Sequence, residues 1–231
     1  MIRRLLLWDI DGTLTFSGGV GSTALKAAAA AVAELAHVPD VDMGGKTDPQ
    51  ILREIFEAAD VEHHRIDELL PAAIAACEAN LLAAEAELRA NGRLHVGVEA
   101  VLRRLDAIDG VRQTLLTGNL TPNAALKVSA FGIADVFDAE VGAYGTDHAD
   151  RLELVPIALE RVERFRGERY DASEVWVIGD TANDLACARV AGVRCLLVGT
   201  GRGYDEVRHL GADHAVPDLA DVDAIVDVLT G

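Results

Sequence analysis

A chain of 231 residues, half of them hydrophobic, suits one domain of ordinary size or one domain carrying a sizeable insertion, with enough apolar side chains for a packed core. Its 38 Asp and Glu against 21 Lys and Arg argue against a broad nucleic-acid-binding face, while leaving room for a local cationic pocket. The cysteines Cys77, Cys187 and Cys195 are odd in number and far apart, which fits buried thiols in a reducing compartment and neither a disulfide framework nor a zinc site.

In chain order, Leu5-Leu6-Leu7-Trp8 predicts a strand that runs into Asp9-Ile10-Asp11-Gly12-Thr13-Leu14. The two aspartates end the apolar run too early for a signal sequence, and no other stretch reaches membrane-spanning length, so a cytoplasmic protein without a membrane partner is expected. Gly18-Gly19-Val20-Gly21-Ser22 reads as a loop with Ser22 as helix N-cap, followed by an Ala-rich helix over 23–37. Further helices are predicted over 49–59 and 65–90, making an all-helical block. From residue 95 the pattern alternates: helix 97–107, strand 112–117, helix 122–131 opened by Thr121-Pro122, strand 137–141, helix 152–166, strand 174–178, helix 183–191 and strand 193–198. Alternation of this kind predicts an α/β fold with a doubly wound, Rossmann-like parallel sheet. The helical block is then an insertion after the first strand, giving a core of residues 1–15 and 96–231 and a helical cap domain of residues 16–95.

Ligands of open parallel sheets bind beyond the carboxyl ends of the strands, and three such ends carry chemistry here. Asp9 and Asp11 stand two apart, so an extended segment aims both carboxylates into one volume, where Mg²⁺ would screen their repulsion and leave an oxygen free to attack phosphorus. A strand followed by an ordinary polar turn is the alternative for these residues taken alone. At Leu115-Leu116-Thr117-Gly118-Asn119, the Thr117 hydroxyl and the amides of Gly118 and Asn119 offer a cradle for phosphate oxygens, unless this is a plain strand-to-helix turn. The third end, Val175-Trp176-Val177-Ile178-Gly179-Asp180-Thr181-Ala182-Asn183-Asp184, delivers Asp180 beside a glycine with Asp184 one helical turn on; an N-capping and a solvated aspartate would leave the same pattern.

With these three motifs in this order over nearly its whole length, the chain resembles the haloacid dehalogenase-like hydrolase superfamily, in the branch of phosphoglycolate phosphatases whose helical cap follows the first motif. The resemblance implies a Mg²⁺-dependent phosphatase working through a phosphoaspartate. Asp9 would be nucleophile and metal ligand. Asp11 would bind the metal through its backbone carbonyl while its carboxyl serves the leaving alcohol and then water. Thr117 would hold the phosphoryl group, Asp180 would ligate Mg²⁺, and Asp184 would do so directly or through water. The Lys-Pro signature that such relatives carry before the last motif is absent, and Arg151 is the expected substitute, at a helix start on the same sheet edge. Lys127, its competitor, lies inside the 122–131 helix, where a solvated surface lysine is expected.

In the block of helices, Gly44-Gly45-Lys46-Thr47-Asp48 resembles the cap loop that supplies a substrate-facing base in phosphoglycolate phosphatases. Lys46, one of three lysines, is therefore expected to meet an anionic substrate. Leu14-Thr15-Phe16-Ser17 lacks an acidic residue common two positions after that leucine, which weakens the phosphoglycolate assignment. Asp11 argues against dehalogenation and against phosphonate cleavage. The expected substrate is a small phosphorylated metabolite, the expected cofactor Mg²⁺, and the expected assembly a monomer or homodimer. A sugar-phosphate phosphomutase and a catalytically idle binding or regulatory protein are the alternatives.

Overall fold

The first strand, β1 (Arg4–Trp8), is buried on both faces, with Leu5, Leu6, Leu7 and Trp8 each fully shielded. A computed structural model describes residues 2–231; Met1, the first residue of the expected core segment, lies outside the described residues. Because side chains alternate along a strand, Leu6 and Trp8 join the cluster on one side of the sheet while Leu5 and Leu7 join the other. Each such leucine contributes about 1.5–3 kcal/mol from burial, which anchors the strand that carries Asp9.

After β1 come β2 (Thr15–Phe16), α1 (Val20–Val32), α2 (Asp48–Ala58), α3 (His63–Ala83), α4 (Glu85–Asn91), β3 (Arg93–Leu94) and α5 (Val98–Asp106). The chain continues through β4 (Val111–Thr117), α6 (Thr121–Ala130), β5 (Ala143–Tyr144), α7 (Leu154–Arg166), β6 (Val175–Gly179) and α8 (Ala182–Ala191). It closes with β7 (Arg194–Val198), α9 (Tyr204–Val207), β8 (His214–Val216) and α10 (Val222–Thr230). Six strands form one parallel sheet in the order β5-β4-β1-β6-β7-β8, an α/β doubly wound architecture with β1 between β4 and β6. The carboxyl ends of three adjacent strands therefore bring Thr117, Asp9 and Asp180 to one edge of the sheet.

Helices α1 to α4 lie between β2 and β3; α1, α2 and α3 share an apolar cluster around Leu25, Leu52, Ile55, Phe56 and Ile66, which Leu120 joins, while Leu88 of α4 packs with Val20, Ala24 and Leu81. The two chain crossings run side by side as an antiparallel ribbon, Thr15 opposite Leu94 and Phe16 opposite Arg93. The exposed Phe16 ring is covered by the Arg93 guanidinium at 4.4 Å. Among the described residues, no single helix is long and apolar enough to cross a membrane.

Several expected elements differ. The first helix starts at Val20 with Gly19 (φ +82°) as its N-cap, so Ser22 sits in the first turn and donates to Gly19 O instead of capping. It stops at Val32, two residues before Glu34 adopts φ 53°. The long helix expected over 65–90 is two helices bent by 60° at Ala84, whose N–H is shared between Asn80 O and Leu81 O. Leu120, not Thr121, caps α6. The strand expected over 137–141 is absent: Ala134–Val136 and Ala139–Val141 are 3₁₀ turns, and pairing begins at Ala143. Asp138 explains this, because its carboxylate binds Arg112 and Arg166 and its backbone closes a turn onto Val141.

Candidate active site

Past β1 the chain turns at Gly12, whose φ of +84° suits glycine, and whose missing Cβ is essential because one built there would stand 2.3 Å from Asp180 Oδ2. Gly201 also packs on this carboxylate, with a built Cβ 1.8 Å from the same Oδ2 and 3.1 Å from Gly12 Cα, so Asp180 lies in a slot left by two glycines. Asp184 is fully buried. Its Oδ2 accepts the Thr181 backbone N–H (3.0 Å) and hydroxyl (2.6 Å) in a capping box at the start of α8, and its Oδ1 accepts Arg151 (2.6 Å). Asp9, Asp180 and Asp184 thus offer oxygens that all lie within 4.8 Å of one another.

Arg151 is buried, and its Nη2 also donates to Asp9 Oδ1 at 2.9 Å. It enters from a 3₁₀ turn, Arg151–Glu153, capped by the Asp150 side chain just before α7. Burial alone pushes the Asp9 carboxyl up; Arg151 pulls it back, Asp184 adds repulsion, and the balance is about 6. Among the described residues Asp180 has no direct cationic partner, and burial with repulsion from Asp184 and Asp9 raises it to about 8. Three buried carboxylates against one guanidinium, all with hard oxygen donors, fit a divalent cation such as Mg²⁺, which would relieve that repulsion.

Residues 6–189 match the family described as haloacid dehalogenase-like hydrolases. The chain belongs to that family. It is 43% identical over 92 residues to a phosphoglycolate phosphatase of Chromobacterium violaceum, a stretch that is 39% of this chain and 38% of that relative. The chain therefore spans less than two fifths of that curated relative's length. Its fold is similar to that of CbbY from Rhodobacter sphaeroides, crystallised with phosphate (TM-score 0.73, 20% identity, 98% of this chain and 100% of that one). It is also similar to a hydrolase from Pseudomonas syringae (TM-score 0.73, 17% identity, all of both chains).

In this haloacid dehalogenase-like hydrolase, the remaining residues singled out from the sequence fall around the same cavity, of about 240 Å³. Thr117 lines it, but the Asn119 backbone N–H donates to Thr117 Oγ1 (3.3 Å), so the expected amide cradle is half occupied by the protein itself. The Asn119 side chain is likewise taken, donating to Thr117 Oγ1 and to Asp11 Oδ2, each at 2.8 Å. A Cβ on Gly118 would meet the Lys46 carbonyl at 2.0 Å, so this glycine lets the 43–48 loop lie on the sheet edge. Lys46 lines the cavity with its ammonium 2.5 Å from Glu54 Oε2.

Lys127 is not the solvated surface lysine expected from its helix. It is buried, with Nζ 2.5 Å from Asp11 Oδ2 and 2.7 Å from Asn119 Oδ1. The Leu120, Ala124, Lys127 and Val128 positions follow helical spacing, so the periodicity that buries this face of α6 carried the signal. Burial would raise the Asp11 carboxyl, but the Lys127 charge and the hydrogen bonds to Lys127 and Asn119 outweigh it and lower it.

Asp48 and Arg202, to which the sequence pattern assigns no role, line the cavity as well. Asp48 Oδ2 accepts Leu120 N–H at 3.0 Å and its own N–H donates to Gly118 O at 2.8 Å, while burial raises its carboxyl to about 6. Arg202, after β7, binds Asp42 at 2.5 Å, and Asn183 donates to Gly44 O at 3.0 Å. These bonds, with Thr47 Oγ1 on Ala149 O at 2.6 Å, fasten the 42–48 loop over the carboxylates.

Proposed function

We propose that this hydrolase is a Mg²⁺-dependent phosphatase of small phosphorylated metabolites that works through a phosphoaspartate on Asp9. The observation that carries the reading is the Arg151 guanidinium set between Asp9 and Asp184, at the floor of a small cavity beneath the helical segment. Asp9, Asp180, Asp184 and the Asp11 backbone oxygen are the groups to hold the cation, which when bound supplies charge neutralisation at phosphoryl oxygens and among the carboxylates. Thr117 and Arg151 orient and neutralise the phosphoryl group.

An Asp9 carboxylate oxygen attacks phosphorus as the bond to the leaving alkoxide breaks. The Asp11 carboxyl gives its proton to that alkoxide, so the alcohol departs neutral and Asp11 is left as carboxylate. Asp11 then takes a proton from water, whose oxygen attacks phosphorus; the bond to Asp9 breaks and inorganic phosphate leaves. Residues 16–95 act as a cap over a core of residues 1–15 and 96–231. The cap excludes water and large substrates, and Lys46 faces the non-transferred end of the substrate.

The 43% identity to a phosphoglycolate phosphatase over part of the chain supports a short anionic alkyl phosphate as substrate. The test is phosphate release from a panel of phosphorylated metabolites with and without Mg²⁺, using wild type and Asp9→Asn. Mg²⁺-dependent turnover that disappears in the folded variant is expected. Turnover retained by Asp9→Asn refutes the nucleophile.

A further inference from the structure

Resting on that reading, we infer that Lys127 is a positioning residue which, with Asn119, fixes the carboxyl group of Asp11 for proton transfer. Asp11 sits on a turn with its side chain 41% exposed, whereas the Lys127 side chain is 5% exposed. The group that moves protons is therefore the part-exposed one and its anchor is the buried one. Asp11 Oδ2 is engaged twice, by Lys127 Nζ at 2.5 Å and Asn119 Nδ2 at 2.8 Å; Lys127 Nζ also donates to Asn119 Oδ1 at 2.7 Å, and Asn119 Nδ2 to Thr117 Oγ1 at 2.8 Å. Two donors on one oxygen restrict the plane and rotamer of a carboxyl group in a way one cannot.

The anchor is itself held from several sides. Lys127 projects from α6, whose Ala124 and Val128 pack in the sheet's core. On the helical segment, a Cβ added to Gly21 would stand 3.2 Å from Lys127 Nζ, so α1 closes against the ammonium with only a glycine between. Asp48 and Asp9 are the other carboxylates whose charge it meets. Arg151 serves Asp9 and Asp184. The two buried cations thus divide the site, one on the nucleophile and one on the group that serves the leaving alcohol. Lys127 faces the carboxylate that Asp11 becomes after protonating the alkoxide, the same carboxylate that then accepts the proton of water.

The experiment compares kcat/KM, which reports the first phosphoryl transfer, for glycerol 2-phosphate and 2,4-dinitrophenyl phosphate in the Mg²⁺-loaded full chain. The first needs a proton on its leaving alkoxide; the second leaves as a stabilised phenolate. General acid assistance contributes at least roughly 10²-fold, so Lys127→Met is expected to lower kcat/KM about 10²-fold for the alkyl ester and less than about tenfold for the aryl ester. Equal losses on both overturn the role. So does a loss seen with phosphoglycolate, assayed alongside as an alkyl ester with a second anionic group, and not with glycerol 2-phosphate, which would make Lys127 a substrate-binding cation. Should Lys127→Met fail to fold, Gly21→Ala pushes the ammonium from the α1 side and should lower the alkyl-to-aryl ratio about threefold, a fraction of the full acid contribution. An unchanged ratio in a folded Gly21→Ala protein overturns the role. A wild type inactive on every ester refutes the phosphatase reading itself, whereas an active wild type with equal losses refutes only Lys127.

Discussion

Replacing Arg151 by methionine keeps an unbranched side chain of similar length but removes the one charge among the described residues that pairs directly with Asp9 and Asp184. The Arg151 and Asp9 side chains are 5% and 6% exposed and that of Asp184 is fully buried, so solvent screens little of the loss. Removing one partner of a buried pair costs about 3–5 kcal/mol. For a chain of this size that corresponds to a fall in Tm of roughly 6–20 °C. The pH dependence follows from the raised carboxyls. Asp9 and Asp180 sit at about 6 and about 8 against an ordinary 3.8, so their protonated forms are favoured in the folded state. Their contribution is fully present below the unfolded value and is lost as pH rises through the folded values. Without Arg151 both rise further, and the penalty is larger in weak alkali than in weak acid. Urea denaturation of wild type and variant with chelator, at about pH 5 and about pH 8, measures this, and Mg²⁺ should recover part of the loss at the higher pH. A loss independent of pH, or none at all, would refute the charge argument.

Asp180→Asn should stabilise the metal-free protein at about pH 8, because it removes the most raised carboxyl, while weakening Mg²⁺ binding by tenfold or more; titration calorimetry and denaturation read both, and a destabilised apo variant contradicts it. Gly201→Ala puts a Cβ where Asp180 Oδ2 lies, so it should cost about 1–3 kcal/mol and most of the activity, and a variant with wild-type Mg²⁺ dependence would show that the slot is not needed. Lys46→Ala should raise KM for the best anionic metabolite far more than for p-nitrophenyl phosphate; equal effects would confine Lys46 to its contact with Glu54.

The α/β alternation was legible because buried parallel strands such as Leu5-Leu6-Leu7-Trp8 and Val175-Trp176-Val177-Ile178 are unbroken apolar runs, and the helices between them have their own period. Asp9, Asp180 and Asp184 were legible as a cluster because adjacent strand ends must meet at one edge. Lys127 was not, since a lysine in a helix is usually solvated and its burial depends on partners such as Asp11, 116 residues away in sequence, together with Asn119. Asn119 was read for its place after Thr117, but what its amide does depends on Asp11 and Lys127, which no local pattern joins to it. The short turns before β5 escaped for a similar reason, as Asp138 is directed by Arg112 and Arg166.

The covalent step on Asp9 is tested most directly by trapping it. Wild-type protein with Mg²⁺ and 2,4-dinitrophenyl phosphate, acid-quenched during turnover and digested, should yield the peptide containing Asp9 with one added phosphoryl group, and Asp9→Asn should yield none. Turnover with no phosphorylated peptide, or a phosphoryl group on any other residue, would contradict the account.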